Sequence, residues 1–238
     1  MKILNIAGYK FILLTELSTL RLALLSTSDA LGLKGTILLS QEGINLTLAG
    51  PIGQVELFKS HLKEDERFAD MSFRESFSSF LPFKRMKVKL KKEIITLRCA
   101  EIRPEAARAS DISPREFKRW LDEQRDITIL DTRNDYEVSV GTFRDAVNLE
   151  IKDFCEFPKA AEKISRDKPI VMFCTGGIRC EKAAIQLKNA GFNEVYQLDG
   201  GILNYFAEVG GDHYEGECFV FDERVSLDAN LQTKISAV

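Results

Sequence analysis

One cysteine, at the end of an apolar run, is where residue types and spacing in this chain first add up to chemistry. Ile170-Val171-Met172-Phe173 reads as a buried strand, and Cys174-Thr175-Gly176-Gly177-Ile178-Arg179 follows it directly. A helical pattern from Glu181 to Lys188 comes next. Two glycines let the loop curl so that successive backbone N–H groups point at one centre. The helix start adds unpaired amides and the positive end of its dipole. A sulfur held there is expected to be a thiolate near neutral pH, which is the reactive form. The plainer alternative is a structural cysteine beside a tight turn. Strand, cysteine, glycine loop, arginine and helix in that order favour the reactive one.

Such a loop needs a scaffold, and 238 residues are enough for two domains. With 45% hydrophobic and 29% charged residues, two ordinary cores can form. The net charge of −3 shows no global bias toward nucleic acid, so any such partner must be held by a local patch. No apolar run approaches the ~20 residues that span a membrane. Met1-Lys2-Ile3-Leu4-Asn5 lacks a signal-peptide layout. Five scattered cysteines (99, 155, 174, 180 and 218) do not resemble a disulfide framework, and the expected compartment is a reducing cytoplasm.

From the start of the chain, Ile3 to Leu14 reads as a strand and Leu17 to Leu31 as a helix closed by Gly32. Thr36–Leu39 and Ile44–Leu48 form a hairpin candidate, and Pro51 opens a second helix. Met71–Phe77 and Met86–Leu90 read as strands, with Ile94–Ile102 as a further extension. The order βαββαβ is the split-βαβ arrangement of ferredoxin-like domains. One dense basic stretch runs from Phe83 to Lys92. Strand alternation turns Met86, Val88 and Leu90 inward and lines Arg85, Lys87, Lys89 and Lys91 on the other side. Two readings stay open there: a row that tracks a phosphate backbone, or a solvated strand whose lysines discourage edge pairing.

Residues 103–110 form a polar linker between an N-terminal domain, 1–102, and a second domain, 111–213, with 214–238 as a C-terminal extension. Ser113 as N-cap, Pro114 at the first helical position and Glu116 completing a capping box start a helix. Strands at Thr128–Leu130, Ile170–Phe173 and Val195–Leu198 alternate with helices, which implies a parallel sheet flanked by helices. Sites in such sheets lie beyond the carboxyl ends of the strands, where Cys174 falls.

Leu130-Asp131-Thr132-Arg133 with Tyr136-Glu137, the Cys174–Arg179 loop, and Leu198-Asp199-Gly200-Gly201-Ile202 together resemble a rhodanese domain. Gly141-Thr142-Phe143 stands where Gly-His-Ile is usual. Glu42-Gly43-Ile44-Asn45, Met86-Lys87-Val88, Phe173 to Lys182 and Gly216 to Arg224 narrow the resemblance to the oxygen-dependent tRNA uridine hydroxylases. It covers nearly the whole chain and implies an acylphosphatase-like N-terminal domain before the rhodanese-like one. Many members carry a cysteine-rich C-terminal extension; no cysteine follows Leu227 here.

The resemblance implies conversion of the wobble uridine of tRNA, in the anticodon loop, to 5-hydroxyuridine, with molecular oxygen as co-substrate. It also maps the active cysteine onto Cys174. Arg179 either helps hold an anion in the loop or pairs with a carboxylate. Asp131 and Arg133 are expected to brace the loop. Cys180 either resolves a persulfide or sulfenate on Cys174 or packs on the first helical turn. Cys99, Cys155 and Cys218 read as core fillers. No metal site or cofactor motif is visible: His61 and His213 fall in different domains, and no Gly-x-Gly-x-x-Gly follows a strand. A sulfurtransferase carrying a persulfide on Cys174 is the alternative. A cysteine-dependent phosphatase needs five residues between cysteine and arginine, and four stand here. An intact cysteine loop weighs against a mere binding module.

Overall fold

The computed structural model describes residues 2–105 and 110–233. The chain divides into two compact units, Met1–Ile95 with Asp222–Arg224, and Thr96–Phe221 with Val225–Val238. The first unit thus stops short of the expected boundary at 102. Residues 106–109 of the expected linker and 234–238 of the C-terminal extension lie outside the described residues.

In the first unit the order is β1 (Ile3–Phe11), α1 (Leu17–Ala30), β2 (Lys34–Ser40), β3 (Gly43–Pro51), α2 (Ile52–Glu64), β4 (Arg74–Ser78) and β5 (Met86–Leu90). The sheet runs β4-β1-β3-β2-β5, antiparallel except where β5 joins β2 in parallel. Alternate residues Leu4 and Ile6, Ile37 and Leu39, and Leu46 and Leu48 meet Leu24 of α1 and Val55, Phe58 and Leu62 of α2 in one core. This is the ferredoxin-like arrangement that the βαββαβ pattern predicts.

Four local expectations change, the first being that the strand expected from Met71 begins only at Arg74. Ile94–Ile102 forms no strand. Ile94, Leu97 and Ile102 are buried from a loop, where Ile94 N–H donates to Glu42 Oε1 at 2.6 Å and Asn45 Nδ2 donates to the Ile94 carbonyl at 3.1 Å. Their spacing mimics a strand because loop residues that are buried one by one can also fall at irregular short intervals. Leu90 is 43% exposed rather than inward, since β5 ends there. The initial strand ends at Phe11 rather than Leu14, opposite Gly43 at the start of β3.

The second unit contains β6 (Ser110–Ile112), α3 (Pro114–Asp122), β7 (Thr128–Asp131), α4 (Asp135–Val138), β8 (Gly141–Phe143), β9 (Val147–Asn148), α5 (Phe157–Ala160), β10 (Ile170–Phe173), α6 (Ile178–Asn189), β11 (Val195–Leu198), α7 (Gly201–Val209), β12 (Tyr214–Gly216), β13 (Cys218–Phe219) and β14 (Ser226–Leu227). Five strands pair in parallel, in the order β6-β11-β10-β7-β9, and β10 is central. All four residues of β10 are fully buried, which is why it reads as an unbroken apolar run. Phe143 packs edge-on against Phe117, Phe173, Tyr205 and Tyr214 and ties the sheet to its flanking helices. Ser113 caps α3 by accepting Glu116 N–H at 3.2 Å. The Glu116 carboxylate does not complete the box; it accepts from Trp120 Nε1 at 2.6 Å and Arg119 Nη2 at 2.5 Å instead. β12 pairs antiparallel with β8, so Tyr214–Gly216 complete this unit instead of trailing from it.

Candidate active site

β10 delivers Cys174 to the carboxyl edge of the sheet, and α6 begins four residues later. α7 orients the loop between them. Ile202 N–H donates to the Cys174 carbonyl at 3.0 Å, and Leu203 N–H donates to the Thr175 carbonyl at 3.1 Å. With those carbonyls drawn toward α7, the loop amides turn the other way, toward the sulfur. Gly201, at φ +64°, permits this approach: a Cβ there would lie 2.3 Å from the Cys174 carbonyl oxygen. Gly177, at φ +100°, donates its N–H to Cys174 Sγ at 3.1 Å. A Cβ on Gly176 would meet nothing within 4 Å, so the loop is open on that side.

Burial alone would push the Cys174 thiol up. A hydrogen bond from Cys180, the charge of Arg179 and the N–H groups of Arg179 and Gly177 outweigh it and bring the thiol down to about 5. The sulfur is therefore an anion at neutral pH, as the loop's composition led one to expect. Cys180 moves the other way: burial and the neighbouring Cys174 sulfur keep it protonated.

Arg179 does not point freely into the loop. It makes a two-pronged pair with Glu137, Nη1 to Oε2 at 2.6 Å and Nη2 to Oε1 at 2.7 Å, and both side chains are buried. Burial disfavours its charge, but Glu137 more than restores it. The partner is thus a buried carboxylate, and the arginine's charge still acts on Cys174. Glu137 also accepts the Asn134 N–H at 3.2 Å, which caps the short helix α4.

Asp131 and Arg133 lie at the end of β7 with no solvent exposure. Arg133 Nε and Nη2 bind Asp131 at 2.9 and 2.6 Å, and Nη2 also donates to the Gly141 carbonyl at 2.6 Å. Thr142, where the usual motif has histidine, donates its hydroxyl to Asp131 Oδ2 at 2.8 Å. Thr132, given no role from the sequence, and Cys218, read there as a core filler, complete the surroundings. Thr132 donates to the Phe173 carbonyl at 2.9 Å and touches Cys180 Sγ at 3.7 Å. Cys218, on β13, lies beside Arg133 and the Thr175 hydroxyl, and burial drives its thiol up to about 12. That hydroxyl has no partner of hydrogen-bond geometry, so its hold on Cys218 is weak. A buried arginine demands a carboxylate, so Glu137 was the signal within reach. Nothing in the spacing reveals Cys218, which arrives from a hairpin 44 residues downstream of the loop.

Two domain families match this chain: the UPF0176 acylphosphatase-like domain over residues 3–94 and the rhodanese-like domain over residues 113–208. A tRNA uridine(34) hydroxylase of Cupriavidus necator is 55% identical over 240 aligned positions, which span 98% of this chain and 85% of that protein. One of Bordetella avium is 51% identical and spans 98% and 99%. The chain belongs to the tRNA uridine(34) hydroxylase family. Among solved structures, a rhodanese-like domain from Anabaena sp. is 25% identical, with a TM-score of 0.39, over 45% of this chain and 80% of that one.

The family's first domain carries the basic stretch. Lys87 and Lys89 pair with Thr36 and Leu38 on the sheet face opposite Val88. Arg85, Lys89 and Lys91 are exposed and Lys87 is half-buried. None of the four is ion-paired among the described residues, whereas neighbouring Lys84 meets Glu223 at 3.7 Å. No helix among the described residues is long and apolar enough to cross a membrane. No group of three or more histidine, cysteine, aspartate or glutamate side chains among them is placed to hold a metal.

Proposed function

We propose that this protein hydroxylates uridine 34 of tRNA at C5 in the cytoplasm, with dioxygen as co-substrate and Cys174 as the reactive group. The observation that carries this is Cys174 itself: a buried sulfur that accepts the Gly177 N–H at 3.1 Å on a glycine loop, in a chain 55% identical to a tRNA uridine(34) hydroxylase. The balanced change is uridine, dioxygen, two electrons and two protons to 5-hydroxyuridine and water, so a reductant also takes part. Thr175, Gly176, Gly177 and Ile178 shape the cradle. Arg179 adds positive charge and is held by Glu137. Asp131 and Arg133, expected to brace the loop, instead bind each other and hold Gly141 and Thr142 at the end of β7. Arg85, Lys87, Lys89 and Lys91 contact the phosphates of the anticodon arm, whose single-stranded loop can present an unstacked base.

The test expresses wild type and Cys174→Ala in cells lacking the activity and measures 5-hydroxyuridine in digested tRNA by mass spectrometry, with and without air. Wild type in air should restore the nucleoside, and the variant should not. Equal restoration by both removes Cys174 from the reaction. Efficient sulfur transfer from thiosulfate without any hydroxyuridine makes the protein a sulfurtransferase.

A further inference from the structure

The hairpin that carries Cys218 has a second face. Cys218 and Val220 are buried, so strand alternation turns Phe219 and Phe221 outward. There Phe219 meets Tyr136 of α4, with ring centroids 5.3 Å apart and planes at 83°, and Phe221 meets Phe219 at 5.2 Å and 84°. Phe219 is half-buried, but the two outer rings lie open, Tyr136 at 46% exposure and Phe221 at 59%. Phe143, sealed among four aromatic partners, shows how this unit treats a ring that serves its core. An edge-to-face contact covers at most one face of a ring, so each outer ring keeps a flat apolar face.

This row stands at the edge of the sheet that holds the reactive sulfur. β7 pairs with β10 so that Asp131 lies opposite Phe173, the residue before Cys174. From that strand end the chain runs into α4, where Tyr136 precedes Glu137, and Glu137 grips Arg179 at the far end of the Cys174 loop. α4 in turn packs on β13.

We propose that Tyr136, Phe219 and Phe221 form a stacking platform for unpaired bases of the tRNA anticodon loop, beside the loop that carries Cys174. This rests on the reading of the anticodon loop as the substrate. Exposed rings offer flat, sequence-tolerant stacking, which is what splayed single-stranded bases need. Neither α4 nor β13 carries a lysine or arginine, so this surface suits base faces and not phosphates. It also continues the candidate active site, so a loop that delivers one base to Cys174 has its neighbouring bases at hand to stack.

The test measures binding of a fluorescein-labelled anticodon stem-loop RNA to the full-length protein by anisotropy, for wild type, Tyr136→Leu and Phe221→Leu. Each leucine variant keeps apolar bulk without a flat face and should bind roughly five- to hundredfold more weakly. The salt slope should stay at the wild-type value, because no phosphate contact is lost. Tyr136→Phe and Phe221→Trp keep a ring and should bind like wild type. A stem-loop with abasic loop nucleotides should bind wild type more weakly, and the leucine changes should then cost nothing further. Leucine variants that match wild type overturn the proposal. So does an equal loss on the abasic RNA, which makes the rings structural only. A wild-type dimer in sedimentation that Phe221→Leu dissociates assigns the row to a second copy of this chain and overturns it too. Phe221 is the more exposed ring, so its variant carries the test if Tyr136→Leu does not fold. If wild type does not bind the stem-loop, the reading of the anticodon loop as substrate falls with the proposal. If it binds and the leucine variants bind equally, only the platform falls.

Discussion

Cys174 and Cys218 are equally sealed, at 1% and 0% exposure, and belong to the same unit, yet their thiols are driven in opposite directions. On the loop after β10, the penalty of burial is overcome by a neighbouring S–H, a guanidinium and two backbone amides. On β13 the same penalty prevails. Arg133 eases it, but Glu137 and Asp131 add negative charge, and the Thr175 hydroxyl gives little. Burial therefore sets the cost of an anion, and the donors around it decide whether one exists. A cysteine's reactivity is a property of its loop.

The sharpest way to break this contrast is to compare the two sulfurs directly. With one thiol down to about 5 and the other up to about 12, alkylation at neutral pH should favour Cys174 over Cys218 by roughly one to two orders of magnitude, because the thiolate is the form that reacts and only part of that advantage is returned by the weaker nucleophilicity of a less basic thiolate. Cys174→Ala should abolish 5-hydroxyuridine formation, while Cys218→Ala should retain it. Comparable labelling of the two peptides in folded protein would end the contrast.

Next in size is the support beneath the loop. Arg179 and Glu137 are a buried pair, with 6% and 0% of their side chains exposed. Removing Glu137 strands a buried cation, a loss of about 3–5 kcal/mol. Urea unfolding of Glu137→Ala should show it. Asp122→Ala, which breaks surface pairs with Lys118 and His213, should cost far less, since exposed ion pairs contribute little. Equal losses would mean that the buried pair contributes no more than the exposed one.

How far these features can be read in advance depends on whether their causes are local. Strand, glycines and helix start are consecutive in the chain, so the cradle around Cys174 follows from order alone. The first sheet is legible for the same reason, since alternation and hairpin spacing are short-range. Glu137 was visible as part of a motif, but its job depends on Arg179, 42 residues away. Cys218 reaches Thr175 only because Tyr214–Gly216 pair with β8. Ile94–Ile102 misled because its apolar residues pack from a loop, where periodicity carries no information about the backbone.

The exposed counterpart to the sealed site is the basic row along and beside β5, which makes no ion pair among the described residues. Replacing Arg85, Lys87 and Lys89 with alanine should weaken tRNA binding and lower the log–log salt slope by about two units, at ~0.7–0.9 per lost phosphate contact. Cys174→Ala should leave that slope unchanged. A triple variant that folds and keeps the wild-type slope would make the row a solvated sheet face.

The last effect is a pH slope in stability, and its sign separates the two cysteines again. Folding takes Cys174 from its ordinary 9.0 down to about 5. Between those values the unfolded chain holds a proton that the native state lacks, so stability rises with pH across the window. The contribution is complete above 9 and is lost as pH falls through 5. Cys218 goes from 9.0 up to about 12, so its contribution is complete below 9 and is lost as pH rises through 12. Denaturant unfolding between about pH 5 and pH 8 should therefore show wild type gaining on Cys174→Ala by at most about 1.4 kcal/mol per pH unit. Cys218→Ala should run parallel to wild type over the same range, because that thiol is protonated in both states. Parallel lines for Cys174→Ala would mean that its thiol is not ionised by folding, and the chemistry assigned to the loop would lose its basis.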